Sequence, residues 1–244
     1  VAYSTTITGS GTFDTGIYFN QYDAMKITYD SSSDSVTCNF ALNSTVYLSS
    51  AYTNSTYTIT MTTPTGYTCN YLFHIVDTKP YIQIDGTSYS SGTTLYFNEN
   101  TYVSWFDDSD ITDSSDTGVA ITTEGNKIVD TFAKYSDLNG LTLSTDEGTD
   151  TIYHLTLNDR AGNISTYTII IDKSPVEAVW VSDSKEIDNG GYSNEAVYLS
   201  YDANEVASAL YSKDGSEYVT YSKENQFFED GVYAVVLTDK AGNK

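Results

Sequence analysis

The sequence predicts an all-β chain of three consecutive antiparallel β-sandwiches, and three observations carry that prediction. Apolar and polar residues alternate in short runs rich in Tyr, Val, Ile and Thr, the pattern of strands with one buried face. Long helix-forming stretches of Ala, Leu, Glu and Lys are missing. Three local signatures recur in the same order along the 244 residues, which marks a repeat.

The first signature is Tyr-x-Asn ahead of an alternating strand. It occurs as Tyr18-Phe19-Asn20, Tyr96-Phe97-Asn98 and Tyr192-Ser193-Asn194. After it, Met25, Ile27 and Tyr29, then Val103 and Trp105, then Val197, Leu199 and Tyr201 fall at every second position and point to the core. The second is an Asp or Asn three residues before a Tyr: Asn54 and Tyr57, Asp150 and Tyr153, Asp230 and Tyr233. Each Tyr opens a strand whose inward set continues as Ile59 and Met61, Leu155 and Leu157, or Val235 and Leu237. The third is a tight turn. Asp159-Arg160-Ala161-Gly162-Asn163 and Asp239-Lys240-Ala241-Gly242-Asn243 follow the Tyr strands directly; Asp bonds the turn backbone and Gly takes the positive φ. The first repeat has Thr63-Pro64-Thr65-Gly66 there, a different solution to the same reversal.

Val76-Asp77-Thr78-Lys79-Pro80 and Ile171-Asp172-Lys173-Ser174-Pro175 close the first two repeats, since a proline after a last strand cannot continue the ladder. The boundaries fall at 1–78, 79–173 and 174–244. The middle unit carries extra residues after Trp105, and the third stops before a final strand and linker, as a piece cut inside a repeat does. The ends read as those of a mature fragment, and the absent strand leaves a sheet edge open to another chain.

The Asp/Asn turn into a Tyr resembles the tyrosine corner of immunoglobulin-type sandwiches, in which the phenol packs inward and its hydroxyl bonds the backbone. The D-x-A-G-N turn, the preceding D-G-x-Y and the I-D-x-x-P linker together resemble bacterial Ig-like repeats of secreted and wall-attached proteins. The D-x-A-G-N turn and the linker occur together only in the middle unit. The resemblance implies three tandem Ig-like antiparallel β-sandwich domains in an elongated array, outside the cell. It implies a role as stalk, spacer or adhesive module, or as an accessory part of a glycan-active enzyme; fold alone does not choose among them.

Composition narrows the function. With 33 acidic against 11 basic residues the net charge is −22, and Arg160 is the sole arginine, so the basic face that a phosphate backbone or anionic lipid needs is missing. No apolar run approaches the roughly 18–20 residues that span a bilayer.

Catalysis has little to work with. His74 and His154 are the only histidines, lie in strands and belong to different units. No catalytic residue and no cofactor motif is assigned. Calcium is the ion the chain could supply: Asp107, Asp108 and Asp110, with Asp113 and Asp116 beyond, crowd one loop, and hard cations take six to eight oxygens. Asp77 and Asp172 stand at the junctions. The bland alternative is a solvated acidic loop.

Cys38 and Cys69 are the only cysteines; an exported protein can bridge them, or they are two small buried thiols. Lys26 neighbours the inward Met25 and Ile27, so alternation turns it outward, away from any internal isopeptide bond. Tyr47, Tyr52, Tyr89 and Tyr135 sit in irregular segments where a ring could stack on a sugar. The expected function is therefore a non-catalytic spacer of a surface or secreted adhesin-like protein, monomeric as a fragment. The alternative is a module that binds a glycan or a protein receptor.

Overall fold

The computed structural model describes residues 3–20, 23–28, 36–48, 54–107, 118–123, 128–134, 140–222 and 225–244. These are all β: 21 strands and no helix among the described residues, arranged in several separate sheets.

From the start of the chain come β1 (Gly11–Phe19), β2 (Ala24–Ile27), β3 (Thr37–Cys38), β4 (Ser44–Tyr47), β5 (Ser55–Thr62) and β6 (Thr68–Ile75). One sheet has the order β1-β6-β5-β3, with β1 parallel to β6, and β2 pairs with β4 in another. Met25, Ile27, Leu48, Phe73 and Ile75 form the core between them. Phe73 is its centre: Phe19 and Phe40 meet it edge-on and Tyr57 stacks at 5.7 Å. Tyr29 lies outside the described residues.

Next follow β7 (Tyr81–Ile84), β8 (Thr87–Tyr89), β9 (Thr94–Phe97), β10 (Thr101–Phe106), β11 (Gly118–Thr123), β12 (Ile128–Lys134), β13 (Gly140–Leu143), β14 (Asp150–Asn158) and β15 (Ile164–Asp172). They make two sheets, β13-β10-β7-β8 and β12-β11-β14-β15-β9, with β9 parallel to β15. Between the sheets lie Ile82, Val103, Trp105, Ile121, Leu155, Leu157, Ile169 and Ile171, all nearly or fully buried. The alternation read from the sequence is visible in β10, where Thr101, Val103 and Trp105 are buried and Tyr102 and Phe106 are exposed. The β7–β8 hairpin turns on Asp85 and Gly86 with φ of 49° and 76°, the left-handed pair of a two-residue type I′ turn.

The last strands are β16 (Ala178–Ser182), β17 (Lys185–Ile187), β18 (Val197–Tyr201), β19 (Val206–Lys213), β20 (Val219–Thr220) and β21 (Tyr233–Asp239). They form sheets β17-β16-β18 and β20-β19-β21. Their core is aromatic: Phe227 stacks on Tyr233 at 4.2 Å and meets Trp180, Tyr211 and Tyr221. Every one of these sheets, like every core, draws on residues from only one of the ranges 1–78, 79–173 and 174–244. No strand occupies residues 76–80 or 173–177, the two proline-containing connections.

The tyrosine after the Asp turn behaves as a corner in two places. Tyr153 Oη donates to Ser144 O at 2.6 Å and accepts from Ser144 N at 3.3 Å; Tyr233 Oη donates to Glu229 O at 3.1 Å.

The thiol pair needs a correction. Cys38 and Cys69 are both free. Each stands opposite Met61, on either side of β5, so two inter-strand spacings separate them. That is about 9–10 Å, beyond the ~7 Å between Cα atoms that a disulfide spans. Cys69 Sγ instead donates to Gly9 O at 2.9 Å.

Candidate functional site: the clasps at residues 76–80 and 172–175

The D-x-A-G-N turns are built around a carboxylate. In the first, Asp159 Oδ1 accepts from Asn163 N and Oδ2 from the Asn163 side-chain amide, both at 2.7 Å. The backbone closes with Asp159 N donating to Asn163 O (3.1 Å) and Gly162 N donating to Asp159 O (3.2 Å). Gly162 sits at φ 87°, which an L side chain rarely adopts. The second repeats the pattern. Asp239 Oδ1 accepts from Gly242 N (2.6 Å) and Asn243 N (2.8 Å), Oδ2 accepts from the Asn243 amide (2.8 Å), and Gly242 has φ 99°.

An asparagine amide has two hydrogens. One goes to the turn's own aspartate; the other leaves the turn. Asn163 Nδ2 reaches Val76 O at 2.8 Å and Thr78 O at 3.3 Å, and Asn243 Nδ2 reaches Asp172 O at 2.8 Å. Each turn thus holds the end of the last strand of the preceding range. Asn54 grips the first connection from the other side: its Oδ1 accepts from Asp77 N (2.7 Å) and Thr78 N (3.3 Å), and its amide donates to the Thr78 hydroxyl.

The second residue of each turn is a cation laid over the tyrosine of the Tyr-x-Asn in the preceding range. The Arg160 guanidinium carbon is 4.2 Å from the Tyr18 ring centre, and Lys240 Nζ is 5.7 Å from that of Tyr96. Both fall within the range of a cation–π contact. The asparagines of the same signature complete the fit: Asn20 faces Gly162 and Asn98 faces Gly242, each amide within 4 Å of where a Cβ would stand.

Beneath Tyr18 lies His74, stacked at 4.6 Å. Its Nε2 is 3.0 Å from Asp14 Oδ1 and its Nδ1 is 2.9 Å from the Thr56 hydroxyl. This Thr–His–Asp connection joins β5, β6 and β1 across one sheet and supports the ring that receives Arg160. The Gly16 amide first, then His74, hold the Asp14 carboxyl below its ordinary value. In the opposite direction, burial pushes Asp159 up, against the pull of its bonds to Asn163. Burial also raises Asp172, helped by the carboxylates of Asp239 and Asp150.

The other candidates are scattered. Asp107 is half-buried at the end of β10, while Asp108 and Asp110 lie outside the described residues, as do Asp113 and Asp116. Among the described residues no group of three or more His, Cys, Asp or Glu is placed to hold a metal. Lys26 is exposed, as alternation predicts. Of the tyrosines considered for sugar stacking, Tyr47 is 77% exposed, Tyr89 is half-buried with its carbonyl accepting from Tyr167 Oη, and Tyr52 and Tyr135 lie outside the described residues. His154 lines a shallow depression of about 320 Å³ with Gly92, Thr156, Thr166 and Thr168.

Sequence reasoning placed both turns and missed what they hold. The signal was the recurrence of Tyr-x-Asn in one repeat and D-x-A-G-N in the next.

No family model matches this chain, and no curated protein matches it. Among solved structures it is similar to a tetra-tandem repeat in the extending region of a large adhesion protein, at 13% identity and a TM-score of 0.27, covering 82% of this chain and 57% of that one. A Bacteroides ovatus mixed-linkage glucan utilization locus protein, SGBP-B, in complex with a mixed-linkage heptasaccharide, is similar at 11% identity and a TM-score of 0.22, covering 91% and 65%. Dimeric latent PorU from Porphyromonas gingivalis gives 11% identity and a TM-score of 0.21, covering 77% and 21%. This chain therefore spans less than two thirds of each of those chains.

Proposed function

We propose that the chain is a non-catalytic run of three tandem Ig-like β-sandwich units, 1–78, 79–173 and 174–244, acting as a spacer in a secreted or cell-surface bacterial protein of adhesin type. The observation that supports this reading is the clasp made twice, Asn163 to Val76 and Asn243 to Asp172, each with a cation over a tyrosine. A spacer needs serial units whose joints resist bending. Each clasp offers hydrogen bonds worth about 0.5–1.5 kcal/mol apiece and a cation–π contact worth about 0.5–1 kcal/mol at an exposed site. Those sums are small against a whole core, so they set orientation more than stability. The net charge of −22 keeps neighbouring copies apart and the fragment monomeric.

The competing reading is a module that binds a glycan or a protein receptor. Arrays of glycans and of extracellular matrix proteins, probed with the full chain, separate the two. The spacer reading predicts no selective binding; saturable, selective binding to one member overturns it.

A further inference from the structure

His74 and Ile170 are counterparts. Each pairs, on a parallel strand, with the tyrosine that receives a cation: His74 of β6 with Tyr18, and Ile170 of β15 with Tyr96. The first joint therefore carries an ionisable ring where the second carries an alkyl side chain. β1 is shaped around that ring. Asp14 pairs with Leu72 and Tyr18 with His74, so β1 advances four residues while β6 advances two. The excess is taken up in a bulge where Gly16 has φ 63°. The β9–β15 register is regular. The bulge brings both Asp14 and Tyr18 to His74, the first through a 3.0 Å bond to Nε2 and the second by stacking at 4.6 Å.

A carboxylate only accepts, so Nε2 carries the proton of the neutral His74 ring and Nδ1 accepts from the Thr56 hydroxyl at 2.9 Å. A second proton, on Nδ1, needs no more than a turn of that hydroxyl, which sits on an exposed residue and can accept instead. Around the ring, β1 brings Asp14 and Tyr18, and β5 brings Thr56 with Tyr57 turned away onto Phe73. The turn after β14 brings Arg160, with Asp159 turned in upon Asn163. Arg160 at 4.2 Å and His74 at 4.6 Å from the same Tyr18 ring must occupy its opposite faces. With His74 neutral, the charge beneath Tyr18 is that of Asp14, which attracts Arg160. With His74 protonated, Asp14 is balanced and a second cation draws on the same ring. Asp14 itself stays ionised, because the Gly16 amide first, then His74, hold its carboxyl below the ordinary value.

We propose that His74 makes the joint at residues 76–80 an acid-released clasp: when its ring takes up a proton, the hold of Arg160 on Tyr18 weakens and this joint loosens. The joint at 172–175, with Ile170 in the same position, is not released. An imidazole is the side chain that changes charge between pH 8 and pH 5. The switch rests on the spacer reading, in which the clasps orient successive units, and adds to it a single place where the run bends in acid.

Nuclear magnetic resonance of the full chain between pH 8 and pH 5 tests this. At pH 8 the Tyr18 ring displaces the Arg160 δ-methylene protons upfield. By pH 5 that displacement is expected to fall by about a quarter or more, the result of a contact weakened about threefold. Its midpoint is expected to coincide with that of the His74 ring resonances. The Lys240 ε-methylene protons over Tyr96 are expected not to follow it, and in His74→Gln the Arg160 displacement is expected to persist to pH 5. A displacement that holds through pH 5 in the parent, or a midpoint that departs from that of His74, overturns the switch and leaves the spacer reading standing. A fall in His74→Gln equal to the parent's does the same and assigns the change to Asp159. No displacement at pH 8 overturns the clasp itself, on which both readings stand. If His74→Gln does not fold, the coincidence of the two midpoints in the parent decides.

Discussion

At the scale of single residues, Asn163 shows how one side chain links two parts of the chain. Its amide divides between Asp159 and Val76, a division that aspartate cannot copy because it carries no donor. Asn163→Asp sets a second carboxylate beside Asp159. Thermal unfolding is expected to show a loss of about 1–3 kcal/mol, the cost of leaving buried polar groups unpaired. Arg160→Ala removes the contact over Tyr18, and the expected loss is at least about 0.5–1 kcal/mol, read as faster exchange of the Val76–Thr78 amides while the Phe73 core is unchanged. The raised carboxyls give a pH dependence of definite sign. Asp159 and Asp172 bind a proton more tightly folded than unfolded, where the ordinary value is about 3.9. Ionised at neutral pH they cost stability, and that cost is relieved as the pH falls through their raised values toward 4. As the pH is lowered toward 4, the melting temperature of the parent chain is expected to gain on that of Asp172→Ala, which has lost the raised carboxyl; a parent that loses ground to the variant over the same fall contradicts the assignment.

At the scale of elements, period-two alternation was the legible part. Trp105 and Val103 in β10, and Tyr153, Leu155 and Leu157 in β14, are inward as their spacing requires, because a buried face leaves that pattern whatever the partner strand is. Trp105→Ala is expected to cost about 3–5 kcal/mol, and Tyr153→Phe, which loses the bond to Ser144 O, about 0.5–1.5 kcal/mol. Pairing order was not legible. Cys38 and Cys69 are both on strands of one sheet, but that β5 lies between them follows from topology, not from spacing. Two thiols are therefore expected to titrate in denaturant without reductant, whereas a bridged chain shows none. Nor could alternation announce a clasp: Asn163, Gly162 and Arg160 read as turn chemistry because the residues they meet, Val76, Asn20 and Tyr18, lie far away in sequence. The Asp107–Asp110 expectation is decided by melting in calcium and in chelator, since a bound ion raises the transition of the part that holds it.

At the scale of the whole molecule, we propose three sandwiches in series through two copies of one joint. The contacts of Arg160 with Tyr18 and of Lys240 with Tyr96 support that arrangement, since each pairs the turn of one repeat with the Tyr-x-Asn of the repeat before it. Small-angle X-ray scattering of the dilute chain tests it most directly. Three clasped units end to end, roughly 100 Å long, give a radius of gyration of about 30 Å, whereas a single compact body of this length gives about 18 Å. The account predicts the larger value with a rod-like distance distribution; a value near the smaller one, with a globular distribution, contradicts it.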